Sequence, residues 1–264
     1  IAWYESYTPG PTDVSGVISS NTTWSTSGSP YIVTGNILVS ENVTLTIEAG
    51  VTVQVNLDLY IKVEGTFTAV GTGWSYITFG SNAASPAEGD WVGIKIRPSA
   101  GSIYDSNYDY VSGSQLKYVQ IKNASTGLYV YNTGIHVSYT DFINNNNAVE
   151  ITSTDGVIID NCLFSENDYG VYAKGGYGGE EPQSNILNTI IRNSSFLNNS
   201  QGTYLGTNQR YWENLKIYNN LIKGNYTGIN FAGSTFGSGI VSVNIYNNIF
   251  IDNNTSLQVN NLFY

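Results

Sequence analysis

The chain has 264 residues, of which 41% are hydrophobic and only 11% charged, with a net charge of −10 and one cysteine. Ten basic residues against twenty acidic ones exclude nucleic acid or anionic lipid as a partner gripped through a basic face. No apolar run approaches the roughly 20 residues of a membrane-spanning helix, so no membrane insertion is expected, and the lone Cys162 excludes an internal disulfide.

Residues 1–12, IAWYESYTPGPT, read as an extension. Ile1, Trp3, Tyr4 and Tyr7 make a strand-like aromatic tip, and Pro9, Gly10 and Pro11 stop regular structure after it. Such a tip is suited to donation as a strand to a neighbouring chain. Residues 13–264 read as one domain. Its first part alternates at period two, as at Thr44, Thr46, Val51 and Val53, and continues through LYIKVEGTFTAVG, SYITFGS and GDWVGIKIRP.

From residue 114 onward one pattern recurs, best seen in VIIDNCLFSENDYGVYA (157–173). Equivalent stretches centre on Phe142, Phe164, Phe196, Ile222 and Phe250, with spacings of 22, 32, 26 and 28 residues, and a weaker copy centres on Ile121. Three residues after each of the five comes an asparagine: Asn145, Asn167, Asn199, Asn225 and Asn253. Three residues before come Asn161, Asn193, Asn219 and Asn247, with Tyr139 the exception. Six after come Gly170, Gly202 and Gly228. Apolar positions step by two, so each repeat is a coil of short strands that needs a neighbour above and below, about 4.8 Å away, to pair its backbone. The asparagines then form a hydrogen-bonded ladder, and the glycines suit a corner with positive φ. The fold class is all-β: a parallel β-helix of about ten coils, a rod roughly 50 Å long.

The opening Gly-x-Ile-Ser-x-Asn-Thr-x-Trp, then Pro-Tyr-x-Val-x-Gly, then Val-Thr-Leu-Thr-Ile-Glu-x-Gly-Val, resemble the first coils of β-helix repeat proteins of bacterial and archaeal cell surfaces. The Asn-x-x-Phe-x-x-Asn-x-x-Gly-Ile repeat resembles the same pectate-lyase-like superfamily, as does the element around Gly89, Asp90, Trp91 and Gly93, whose tryptophan packs on the coil. The resemblance covers residues 15–100 and 114–260 and implies the right-handed hand of the helix. It implies nothing catalytic, because the repeat encodes coil geometry.

Connections between repeats are short from Val130 to Ile135 and from Ile151 to Val157. They are long from Ile96 to Ser114, Ala173 to Thr189, Leu205 to Leu215 and Phe231 to Val243. All leave one corner, so the insertions should line an edge, with a notch floored by the short connections. Tyr104, Tyr108, Tyr131, Tyr177, Tyr211 and Trp212 are the candidate carbohydrate contacts there, since ring faces stack on sugar C–H groups while carboxylates accept hydroxyl hydrogens. Pinning of the loops to the coil is the competing role of these tyrosines.

A hydrolase would need two carboxylates roughly 5 to 9.5 Å apart, for which Asp155 and Glu180 are the pair to test. A lyase would need a base such as Lys174, Arg192, Arg210 or Lys216, yet no catalytic motif surrounds any of them. His136 faces outward with no second histidine, so no transition-metal site is expected. No cofactor is expected. Calcium is the one ion left open, through Asp105 and Asp109 or Glu180 and Glu181, although solvated loop acids are the simpler reading. Cys162 reads as buried and inert.

Sequons at Asn21, Asn42, Asn123, Asn198 and Asn254 fall outside the ladder columns and are glycosylation candidates, whereas those at Asn193, Asn225 and Asn253 fall in ladder columns and are expected to be buried. The expectation is a non-catalytic extracellular or cell-surface β-helix, a structural or adhesive element that joins copies of itself or neighbouring domains through its coil ends. The alternative is a polysaccharide-active enzyme or sugar-binding module using the insertion edge.

Overall fold

The computed structural model describes residues 10–97, 101–174, 186–206, 212–232 and 242–260. Each coil contributes three short strands separated by three corners. The first strands form a nine-stranded sheet running through Thr22–Trp24, Thr44–Ile47, Thr66–Val70, Gln115–Lys117, Ile135–Ser138, Val157–Asp160, Ile190–Arg192, Leu215–Tyr218 and Val243–Tyr246. Second and third strands belong to an 18-stranded sheet, because Tyr31–Val39 runs through both files without a break. Strand Thr12–Ile18 pairs in parallel with Tyr31–Val39 and starts the stack, so the described residues make nine coils and one opening strand, slightly fewer than the expected ten.

Register is kept from coil to coil. Phe142 pairs with Phe164, Phe164 with Phe196, Phe196 with Ile222, and Ile222 with Phe250. Phe142, Phe164 and Phe196 are buried, with centroids 5.2 and 4.6 Å apart and planes within 4° of parallel. Aliphatic files such as Leu128, Val149 and Val171 fill the rest of the narrow core. Period-two alternation therefore places one side of every strand inside and the other in solvent.

At the second corner the asparagine ladder is continuous. The Nδ2 atoms of Asn145, Asn167, Asn199 and Asn225 each donate to the next Oδ1, up to Asn253, at 3.0 Å. Each Oδ1 from Asn167 to Asn253 also accepts the backbone N–H of the preceding ladder asparagine, at 2.9–3.0 Å. Those amides thus satisfy corner backbone groups that the sheets leave unpaired.

The glycines have a different reason from the expected one. Gly170, Gly202 and Gly228 are absent from the positive-φ positions. A Cβ on Gly202 would instead lie 2.5 Å from the carbonyl oxygen of Gly228 in the next coil, and one on Gly170 2.7 Å from Phe196 Cδ1. Left-handed backbone falls mostly on asparagine and acidic residues: Asn161, Asn193, Asn219 and Asn247 have φ of 52–57° at the first corner, after Tyr118 and Tyr139, and Asn144, Glu166, Asn198 and Asp252 have φ of 52–59° at the second, with Gly224 at 69° between the last two. Asparagine tolerates this region better than other side chains. Asn193 is therefore exposed at a turn rather than buried in a ladder, while Asn225 is buried and Asn253 half-buried.

Candidate functional site

The four long connections expected from the sequence all leave the third corner, between the third strand of one coil and the first strand of the next, while residues 71–76 and 82–90 are longer turns at the first and second corners. The described part of the first insertion is an antiparallel hairpin, Ile103–Tyr104 paired with Tyr110–Ser112. Asp105 Oδ1 accepts the N–H groups of Asn107 and Asp109 at 2.8 and 3.0 Å, so this carboxylate closes the hairpin's own turn.

The hairpin lies back on the outer face of the first-strand sheet. Ser102 ties its base down, its N–H donating to Gly134 O and its Oγ accepting from His136 N, both at 3.2 Å. Tyr110 stacks on His136 with centroids 5.5 Å apart and planes 16° from parallel, and Tyr104 meets the same imidazole edge-on at 6.1 Å. Farther along the stack, Tyr108 receives a hydrogen bond from Asn214 Nδ2 at 3.2 Å, and the Lys216 ammonium sits 4.9 Å from its ring centroid. His136, Ile158, Ile190 and Lys216 occupy one outward file in register. Ile158 and Ile190, between the two ends of that span, are buried although they point away from the coil.

The expected notch is thus filled by the protein's own side chains, and several predicted contacts change role. Tyr131 and Trp212 are only 5% and 1% exposed and cannot stack on a sugar; Trp212 instead donates through Nε1 to Gly206 O at 3.3 Å. Tyr104 is covered well enough that burial, the largest cause, pushes its phenol far up. His136 does face outward from the coil, but it lies beneath tyrosines; burial lowers its pKa, opposed by the nearby Asp160 carboxylate. Tyr177, Tyr211, Glu180, Glu181, Arg210, Ile1, Trp3, Tyr4 and Tyr7 lie outside the described residues.

The candidate catalytic groups that are described are engaged. Asp155 is exposed and ends an amide chain: Asn214 Nδ2 donates to Asn188 Oδ1 at 2.7 Å, and Asn188 Nδ2 to Asp155 Oδ1 at 2.8 Å. Arg192 Nη2 lies 3.1 Å from Asp160 Oδ2, while Asn161 and Asn193 both donate to Asp160 Oδ1 at 2.9 Å. Although burial alone would lower the Arg192 pKa, Tyr218 and Asp160 outweigh it and raise it, the wrong direction for a general base. Lys174 pairs with Glu150 at 3.8 Å and sits over Tyr172 at 5.1 Å. Among the described residues, no three side chains of His, Cys, Asp or Glu are grouped to hold a metal.

Trp91 is fully buried inside the coil rather than on it, donating from Nε1 to Lys122 O at 2.8 Å. Cys162 is buried, and desolvation pushes its thiol up to about 12. Its N–H donates to Ser194 Oγ at 3.1 Å, Ser194 N to Asn220 Oδ1 at 2.9 Å, and Asn220 N to Asn248 Oδ1 at 3.0 Å. That is a second ladder, at the first corner, which sequence reasoning missed because its members are Cys, Ser and Asn in turn. Of the sequon asparagines, Asn21, Asn42, Asn198 and Asn254 are exposed and Asn123 half-buried; Asn21 is not clear of the coil contacts, since its Oδ1 accepts Thr44 N at 2.9 Å.

Sequence reasoning also passed over an aromatic group at the first corner. Trp74 is 100% exposed, Tyr76 packs edge-on to Tyr118 at 5.8 Å, and Tyr118 stacks on Tyr139 at 4.8 Å. Tyr139 was visible as the one departure from the asparagine column, and that was the signal.

Residues 16–140 match a family model described as a pectate-lyase like beta helix domain, and residues 88–262 match one described as a right handed beta helix region. No curated protein and no solved structure matches the chain. The second match extends over more than half of the 264 residues and coincides with the in-register coils described above; the chain belongs to the right-handed parallel β-helix family.

Proposed function

We propose that this chain is a non-catalytic β-helix of the extracellular or cell-surface type, acting as a rigid structural or adhesive element. The observation that carries the reading is the hairpin 103–112 seated on the first-strand sheet, where Tyr104 and Tyr110 enclose His136 and Tyr108 reaches Asn214 and Lys216. A polymer-cleaving enzyme needs an open cleft with convergent groups. Here that surface is occupied, and Asp160 is neutralised by Arg192 and two amides. A chain with only 11% charged residues, whose surface must be covered by Asn, Ser, Thr, Gly and Tyr instead, supports the extracellular placement.

The same reading includes association through a coil end. In the last described coil Leu257 and Val259, in register with the buried Ile229 and Phe231, are exposed, and a further coil, supplied by a neighbouring domain or a second copy, would cover them. Incubation with pectate, alginate and neutral polysaccharides, with and without calcium, tests the central part. We expect neither absorbance from unsaturated products nor new reducing ends. Product release that disappears in Asp160→Asn or Arg192→Ala would refute it.

A further inference from the structure

The first corner carries two tyrosines where the backbone argues against them. Tyr118 and Tyr139 have φ of 52° and 48°, and the next four coils place Asn161, Asn193, Asn219 and Asn247 at the same corner. A bulky side chain in the left-handed region is strained, whereas asparagine is tolerated. Core packing does not account for the choice, because Tyr139 is 40% exposed and both rings lie outside the coil. Strain retained without a core-packing reason points toward function.

What surrounds these tyrosines gives the chemistry. Trp74, at the tip of a turn closed by mutual backbone hydrogen bonds of 3.0 Å between Thr72 and Ser75, is wholly exposed. The turn adjoins the stacked pair, since a Cβ on Gly73 would lie 3.9 Å from Tyr118 Cε1. Tyr76 braces Tyr118 edge-on, and Lys117 stands 5.7 and 5.9 Å from the centroids of Tyr118 and Tyr139. Beyond Tyr139 the corner continues as amides: Asn193 and Asn219 are exposed, and Asn219 Nδ2 donates to Asn193 Oδ1 at 3.4 Å. Fixed aromatic surface followed by amide donors and acceptors, stepped at the coil repeat of about 4.8 Å, suits a chain of sugar rings.

We propose that this strip, Trp74, Tyr76, Tyr118 and Tyr139 with Asn161 and Asn193, binds a neutral linear polysaccharide lying along the helix axis. This deepens the adhesive reading above by naming what is adhered to, and it uses a different face from the hairpin-covered sheet. Trp74 supplies the stacking surface, Tyr118 and Tyr139 form a rigid shelf, and Asn161 and Asn193, each oriented by one Nδ2–H bond to Asp160 Oδ1, bind hydroxyl groups through their remaining amide hydrogen-bonding capacity.

Titration calorimetry and affinity electrophoresis with soluble neutral glucan, xylan and mannan, and with pectate as the acidic arm, test the proposal. Binding to at least one neutral polymer should weaken about tenfold or more in Trp74→Ala, a fully exposed position whose truncation leaves the fold intact. Tyr139→Asn restores the residue type of the later coils, so it should weaken binding while the melting temperature holds or rises. That pairing separates a binding role from a structural one. Binding to no neutral polymer, binding unchanged in both variants, or a Trp74-dependent self-association with glycan affinity unaltered would overturn the platform. Product release in the same samples would count against the non-catalytic reading alone.

Discussion

Replacing Asn199 with alanine should be among the most damaging small changes in the protein. Its Oδ1 accepts the backbone N–H and the Nδ2 of Asn167, and its Nδ2 donates to Phe164 O and Asn225 Oδ1, all four at 3.0 Å. Alanine leaves the buried Asn167 N–H without this partner, at about 1–3 kcal/mol, and forfeits the remaining bonds at about 0.5–1.5 kcal/mol each. Because these terms are not additive, a total of about 3–5 kcal/mol is expected. Asn198→Ala is the control: that residue is exposed with φ of 56°, so only left-handed strain of about 1–2 kcal/mol should appear. Guanidinium unfolding gives the midpoint and slope for both variants. Amide exchange should show loss of protection centred on Asn167 and fading with distance in coils, as expected when each coil contacts only its neighbours. Equal destabilisation of the two variants, within about 1 kcal/mol, would refute the view that this ladder is a principal support of the stack.

Other outcomes follow from the same geometry. Phe196→Ala, which opens a gap beside Phe164 at the bottom of the phenylalanine stack, should cost about 3–5 kcal/mol in denaturant unfolding. Gly202→Ala, which drives a methyl to 2.5 Å from Gly228 O, should lower stability by about 1–3 kcal/mol, and a neutral result would restore the turn-conformation reading of that glycine. Cys162 should resist thiol reagents at pH 8 in the folded protein and react on unfolding. Its raised pKa implies a contribution to stability that is complete below the ordinary thiol range and is lost as pH rises toward about 12, measurable as a fall of the unfolding midpoint in alkali that is smaller in Cys162→Ala, where the raised tyrosines such as Tyr104 still contribute.

The main ladder was legible because one residue type recurs at one offset, and amide stacking tolerates no substitute with the same two-sided bonding. The second ladder was hidden because Cys162, Ser194 and Asn220 hold it with different atoms, linked through the backbone N–H of each residue to the side chain of the next. Glycine at a fixed offset signalled a constraint correctly but not its kind: clearance for Gly228 O, not positive φ, requires Gly202. Insertion length located the third corner, but a hairpin folding outward and one folding back have the same sequence signature. Tyr108 reaches Asn214 across 106 residues, a contact that no local pattern encodes. Trp212 read as an exposed loop aromatic for the same reason; the two-residue strand Trp212–Glu213, paired with Ile186–Leu187, draws it into the core.

His136 is the only histidine of the chain, so its imidazole C–H resonances need no assignment and report directly on whether the hairpin covers the sheet. Burial under Tyr104 and Tyr110 lowers its pKa, against a raising influence of Asp160 and a further lowering by Arg192 and Lys117. A histidine depressed in the folded state stabilises the fold fully above the ordinary value of about 6.5 and loses that contribution as pH falls toward its folded value. An NMR titration should therefore give a midpoint below the ordinary value in the intact protein, moving upward in Tyr110→Ala. A midpoint at or above that value, unmoved by the substitution, would mean that the outer face of the sheet is open, and would contradict the account.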